Sequence, residues 1–275
     1  MKYKIGAHQS TAGGYDKALD SISDKGGNCL QIFASSPFTW QSPLVEQDKI
    51  DLFVEKKQLL GIDPVYFHAC YLLNCADQAQ IATKTRLSLI EELKLAKQMQ
   101  VRGSIIHTGS FKGGAYSSSV SDIIKEILAE TPEETFFIIE NAGNNKIGKD
   151  IKEIARIMEE VNNDRVRVCL DTCHLHAAGY DLSTEENIES FLQEFDRLIG
   201  IYKLEVIHLN DSKDPFNSSR DRHENLGQGQ VGIDVFKHLI NHPKLETVPF
   251  ILETPGFDGK GPDKQNIDIL KSMLK

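Results

Sequence analysis

The chain has 275 residues, 40% hydrophobic and 26% charged, an ordinary globular composition long enough to bury a large core. No stretch approaches the roughly 20 apolar residues of a membrane span, and the start, Met-Lys-Tyr-Lys-Ile-Gly, has no apolar signal core, so a cytoplasmic protein with no membrane partner is expected. A net charge of −9 argues against a generic nucleic-acid binder, which is usually basic.

Strand-like runs and helical stripes alternate along the chain. Tyr3-Lys-Ile-Gly-Ala-His8 and Cys29-Leu-Gln-Ile-Phe33 are the first two strands. Pro64-Val-Tyr-Phe-His68 and Gly103-Ser-Ile-Ile-His107 follow. Val120, Ile123, Ile124, Ile127 and Leu128 recur at helical spacing and make one buried stripe. The fifth strand is Thr135-Phe-Phe-Ile-Ile-Glu140, and a second helical stripe runs Ile151, Ile154, Ala155, Met158. The sixth strand, Val166-Arg-Val-Cys-Leu-Asp171, precedes a capping box at Ser183-Thr-Glu-Glu186 that opens a helix. Leu204-Glu-Val-Ile-His208 is the seventh strand. A long connection from Leu209 to Gly232 leads on to Val248-Pro-Phe-Ile-Leu-Glu253 and a last helix from about Asn266. Strands alternating with helices argue for parallel βαβ units, and no linker or repeat divides them. The expectation is one domain over 1–275, an α/β chain folded as a (β/α)8 TIM barrel, a fold of about 250 residues.

Six of these strands end on a metal-ligand side chain: His68, His107, Glu140, Asp171, His208 and Glu253. In such a barrel the strand C-termini ring the face where chemistry happens. One such residue alone reads equally well as a hydrogen-bonded buried polar group; six together point to a metal centre. His174 lies one turn beyond a strand end. In the long connection, Asp221 and His223 project on the same side of an extended segment. For each pair taken alone, solvated loop charge is the alternative. The nine donors are five His, two Asp and two Glu. Nitrogen and carboxylate oxygen suit Zn²⁺, Mn²⁺ or Fe²⁺, and nine donors exceed what one ion takes, so two or three ions fit better. Five cysteines, Cys29, Cys70, Cys75, Cys169 and Cys173, follow no disulfide framework or zinc-knuckle spacing and are read as structural thiols.

Phe67-His-Ala-Cys-Tyr-Leu-Leu-Asn74, Leu170-Asp-Thr-Cys-His174 with Ala177-Ala-Gly-Tyr-Asp181, His208-Leu-Asn-Asp-Ser-Lys213 and Arg220-Asp-Arg-His223 resemble the signatures of endonuclease IV, the trinuclear-zinc apurinic/apyrimidinic endonucleases. The resemblance runs from His8 to Glu253. It implies three zinc ions per chain: the first on His68, His107 and Glu140, the second on Glu140, Asp171, His208 and Glu253, and the third on His174, Asp221 and His223. Mn²⁺ or Fe²⁺ would suit the same donors. Glu140, as bridge, and Glu253 are the implied catalytic carboxylates. The implied reaction belongs to base-excision DNA repair. A hydroxide shared by two metals attacks phosphorus in line, and the third metal stabilises the departing 3′ oxygen. The bond broken lies 5′ to an abasic site in double-stranded DNA, leaving a 3′-hydroxyl and a 5′-deoxyribose phosphate. Nothing in the sequence demands more than a monomer.

In the family, side chains enter the gap left by the missing base, and Tyr71 and Leu72 match those positions; packing beside His68 is the alternative reading. Gln31, Phe38 and Trp40 are further DNA-contact candidates, and Lys112, Lys213, Arg220 and Arg222 are either phosphate contacts or solvated surface. Departures from the family pattern are Cys70 and Thr108 for proline, Gln228 for glutamate, and Phe38 for an arginine. Two other functions compete. A sugar isomerase or epimerase would use one or two metals on the same strand ends but needs no third site. A zinc-dependent DNA-damage binder would not cleave.

Overall fold

The computed structural model describes residues 3–40, 44–77, 80–112 and 117–275. Eight strands close a parallel barrel: β1 (Ile5–His8), β2 (Cys29–Phe33), β3 (Val65–His68), β4 (Gly103–Ile106), β5 (Phe136–Glu140), β6 (Val166–Asp171), β7 (Leu204–His208) and β10 (Phe250–Leu252). β1 pairs with β2 on one side and with β10 on the other, which closes the ring. Helices α1 (Tyr15–Asp24), α2 (Gln47–Leu60), α3 (Gln80–Gln98), α4 (Ser119–Ala129), α5 (Ile151–Val161), α6 (Thr172–Ala178), α7 (Glu185–Leu198), α8 (Ile233–Ile240) and α9 (Lys264–Ser272) lie between and after the strands. The expected (β/α)8 barrel is therefore the observed fold.

Strand alternation explains how the barrel builds its site. Cys29, Tyr66, Ile105, Ile138, Cys169, Val206 and Ile251 form a buried cluster of their own, one from each of seven strands. Two residues further along each strand direction stand Gln31, His68, His107, Glu140, Asp171, His208 and Glu253. Side chains two apart share a face, so an apolar plug in the barrel carries a polar ring above it. On β1 the plug position is Gly6, where a Cβ would lie 1.9 Å from the Cys29 carbonyl oxygen, and His8 completes the ring. The larger core packs the outer strand faces against the helices.

Several local expectations shift. The stripe on α5 buries Ile151, Ile154, Ile157 and Val161, with Ala155 and Met158 half-buried at its edge. The cap of α7 is Thr184, which accepts from the Asn187 amide, not Ser183. Ser183 is instead held in a turn, its amide donating to Asp181. α9 begins two residues before Asn266, capped by Asp263. The Leu209–Gly232 connection contains a small antiparallel pair, β8 (Asp211–Ser212) with β9 (His223–Glu224). Asp211 organises it: its buried carboxylate accepts from the amides of Ser212, Gly227, Gly229 and Val231. Gly229 is required there, since a Cβ would stand 2.4 Å from Asp211 Oδ1.

Candidate metal centre

All nine predicted donors converge at the C-terminal mouth of the barrel. Their ligand atoms fall into overlapping groups: His68, His107 and Glu140; Glu140, Asp171, His208 and Glu253; Asp171, His174 and His223. Asp221 joins the last group, with His174 Nε2 at 3.0 Å and His223 Nε2 at 3.5 Å from Asp221 Oδ1. Glu140 is the hub. Its Oε2 stands 3.2 Å from Nε2 of both His68 and His107, and its Oε1 stands 3.1 Å from His208 Nδ1 and 3.3 Å from His174 Nδ1. Asp171 spans the second and third groups, with Oδ2 3.8 Å from His208 Nδ1 and 3.6 Å from His223 Nε2.

Donors about 2.0–2.2 Å from one tetrahedral ion stand about 3.3–3.6 Å apart, the spacing seen between several of these atoms. His223 Nε2 is buried with no hydrogen-bond partner among the described residues, and it faces two carboxylates. Four carboxylates brought this close together, with Glu140 and Asp171 fully buried, need counter-charge. Cations, or protons on the imidazoles, can supply it. Burial opposes charge on His68, His174 and His208. Even so, Glu140 holds His68 above its usual value, Asp171 and Asp221 hold His174 well above it, and Glu253 and Glu140 do so for His208. At His107 burial wins and the value falls to about 4. Burial also pushes carboxylates up, but the surrounding rings hold Glu140 well below its usual range and Glu253 at about 2. The donor set thus fits divalent cations.

Outer partners orient the donors, as is usual at metal sites. The Nδ1–H groups of His68, His174 and His223 donate to the carbonyls of Ala69, Asn141 and Glu253, leaving each Nε2 to face the cluster. Asn210 donates to Asp171 Oδ2 at 2.6 Å and accepts from the Glu253 amide at 2.7 Å, tying three strands together. Asn141 accepts from the Asp171 amide at 2.6 Å. Sequence reading missed both asparagines. Their signal was position: one directly follows a donor, the other lies two residues beyond one.

Other candidates divide. Tyr71 and Leu72 sit in an exposed turn at 57% and 37% relative exposure, so core packing does not account for them. Phe38 is exposed at 72%, its ring centroid 5.7 Å from that of Tyr71, while Trp40 is half-buried against the core with Lys84 over its ring. Gln31 needs correction as a DNA contact: it is fully buried, and its amide is spent on His208, Glu253 and His8. Arg222 is held by Asp214 in two hydrogen bonds and Lys112 by Asp77, so neither is a free cation. Cys169 and Cys173 lie near the donors, but burial pushes both thiols up to about 12, which keeps them protonated. Gln228 is exposed between the two glycines that wrap Asp211.

Comparison with known proteins places this geometry. A family model described as xylose isomerase-like TIM barrel matches residues 19–273. A probable endonuclease 4 of Persephonella marina is 39% identical over 259 residues, covering 92% of this chain and 91% of the relative. The crystal structure of endonuclease IV from Thermus thermophilus superposes with a TM-score of 0.86 at 29% identity, covering 98% of both chains. A 3-keto-D-glucoside 4-epimerase from E. coli reaches 0.69 at 14% identity, covering 98% of this chain and 99% of that one, a likeness of fold alone.

Proposed function

The chain belongs to the endonuclease 4 family of xylose isomerase-like TIM barrels, and from that premise we propose that it is an apurinic/apyrimidinic endonuclease of base-excision repair. Its reaction is hydrolysis of the phosphodiester 5′ to an abasic site in double-stranded DNA, leaving a 3′-hydroxyl and a 5′-deoxyribose phosphate. The observation that carries this reading is the sharing of Glu140 by four imidazoles, with the His174–Asp221–His223 group beside it.

Three zinc ions are the occupants we assign: one held by His68, His107 and Glu140, one by Glu140, Asp171, His208 and Glu253, and one by His174, Asp221 and His223. Mn²⁺ or Fe²⁺ is compatible with the same donors. Bound there, the ions supply a nucleophile ionised at neutral pH and positive charge for the leaving oxygen. The residues do the positioning. Glu140 uses both oxygens to couple the groups, and Glu253, the second catalytic carboxylate, faces His208 Nδ1 at 3.3 Å. Tyr71 and Leu72, exposed beside His68, fill the space of the missing base; an abasic sugar has no base to unstack, so extruding it is cheap. Phe38, beside Tyr71, offers a stacking face.

We take residues 1–275 as one domain acting as a cytoplasmic monomer. No helix among the described residues is long and apolar enough to cross a membrane. The sugar isomerase or epimerase alternative lacks a use for the His174–Asp221–His223 group. The test is a duplex with one central abasic analogue, incubated with enzyme before and after prolonged chelation, with an intact duplex as control. Incision 5′ to the analogue, lost on chelation and restored by zinc, is expected. Absence of incision by the zinc-loaded protein contradicts the proposal.

A further inference from the structure

Eight inward side chains ring the barrel mouth. Six are the strand-end donors, and the remaining two are His8 and Gln31, paired in register across β1 and β2. Gln31 is fully buried, so no duplex reaches it. Its Oε1 accepts from His208 Nε2 at 2.7 Å. Its Nε2 donates to Glu253 Oε1 at 2.5 Å and to His8 Nδ1 at 2.9 Å. Both N–H groups and one lone pair of the amide oxygen are used, and each constrains a neighbour. The amide turned over would set oxygen against the Glu253 carboxylate and N–H against the His208 N–H. One orientation therefore holds, and His8, as acceptor for the second N–H, locks it.

The consequence falls on two donors. With Nε2 of His208 engaged as a donor, Nδ1 is the nitrogen left to offer a lone pair to an ion, and it faces Glu140 Oε1 at 3.1 Å and Glu253 Oε2 at 3.3 Å. With Oε1 of Glu253 taken by Gln31, Oε2 is left for the cluster. We propose that Gln31, locked by His8, is a positioning residue for the ion held by Asp171, His208 and Glu253, selecting which nitrogen of His208 and which oxygen of Glu253 that ion meets. This rests on the three-ion reading above.

The test uses zinc-loaded wild type and the variants Gln31→Leu, His8→Leu and His8→Asn. The readouts are zinc content by elemental analysis, zinc release to a competing chelating dye, and kcat and KM on abasic duplex. Gln31→Leu should release one ion of three about 10–100-fold more readily, the range for lost outer partners of metal ligands. Its kcat should fall by a similar factor with KM within about twofold. His8→Leu should do the same more weakly. His8→Asn, whose Oδ1 can accept where Nδ1 did, should restore both, a rescue that a merely structural role does not predict. A folded Gln31→Leu with three ions and unchanged release overturns the inference, as does a rise in KM alone. Should Gln31→Leu fail to fold, the His8→Leu and His8→Asn pair decides on the same readouts. Wild type holding a single ion overturns the three-ion reading and this inference with it; wild type holding three leaves the variants to judge the inference alone.

Discussion

His174 Nε2 and Asp221 Oδ1 meet at 3.0 Å, although one lies in α6 and the other on the connection between β8 and β9. The contact is preorganised from both sides. Asp171 caps α6 by accepting from the His174 amide, and the buried Asp211 carboxylate fixes the hairpin that carries Asp221 and His223. The third donor group is therefore built on rigid supports, although its carrier is a surface connection.

For that group, Asp221→Ala and His223→Ala should each lower zinc content by about one equivalent. The leaving oxygen gains charge only as the bond breaks, so loss of a group acting there lowers kcat more than it weakens DNA binding. Single-turnover rates and equilibrium affinity, measured separately, check this. Normal cleavage with poor binding would make the hairpin a DNA-contact element.

Glu140→Ala should disturb two ions at once, because both carboxylate oxygens serve the cluster. Incision should fall by more than about a hundredfold, beyond the usual cost of an outer partner. The apolar plug below the ring is untouched, so cooperative thermal unfolding should persist. Elemental analysis showing a single lost ion would remove Glu140 from the bridging role.

Tyr71→Ala and Leu72→Ala should lose preference for abasic over intact duplex, read from paired binding titrations. Phe38→Ala should weaken binding by roughly 1–3 kcal/mol if its exposed ring stacks on a base, with little change in salt dependence. Trp40→Ala should do less, since that ring is already packed against the core. Unchanged preference in both Tyr71→Ala and Leu72→Ala rejects the wedge.

Glu92 gives a prediction for the pH dependence of stability. Burial pushes its carboxyl from the usual 4.5 up to about 7, against the Ser104 hydroxyl that hydrogen-bonds it. An acid with a raised folded value stays protonated in the fold while the unfolded chain ionises. Stability therefore falls as pH rises from about 4.5 to about 7, by on the order of 3 kcal/mol in all. Glu92→Gln should flatten the dependence of Tm on pH across that window and be the more stable protein at pH 8. Parallel Tm profiles for the two proteins would refute the assignment.

The six strand-end donors were legible because each follows an apolar strand interior by two residues, and period-two alternation survives in a single sequence. Gln31 was misread as a DNA contact because a neutral amide at a strand end carries no mark of its burial; its partners come from β1, β7 and the residue after β10. The β8–β9 pair left no pattern, since two-residue strands have no period. The cap of α7 slipped by one because Ser183 and Thr184 are adjacent hydroxyls, and only Asp181, by taking the Ser183 amide, decides between them.

The polar ring draws on strands from both extremes of the barrel order, and β10 is its closing member. A nascent chain that has emerged only as far as β7 already presents His68, His107, Glu140, Asp171, His174 and His208, but neither Glu253 nor the hairpin donors. Such a chain also lacks the strand that pairs β7 to β1, so its sheet is still open. On the three-ion proposal, complete loading is tied to ring closure. During synthesis, the arrival of the last strand is also the moment at which the cluster first has its full complement of ligands.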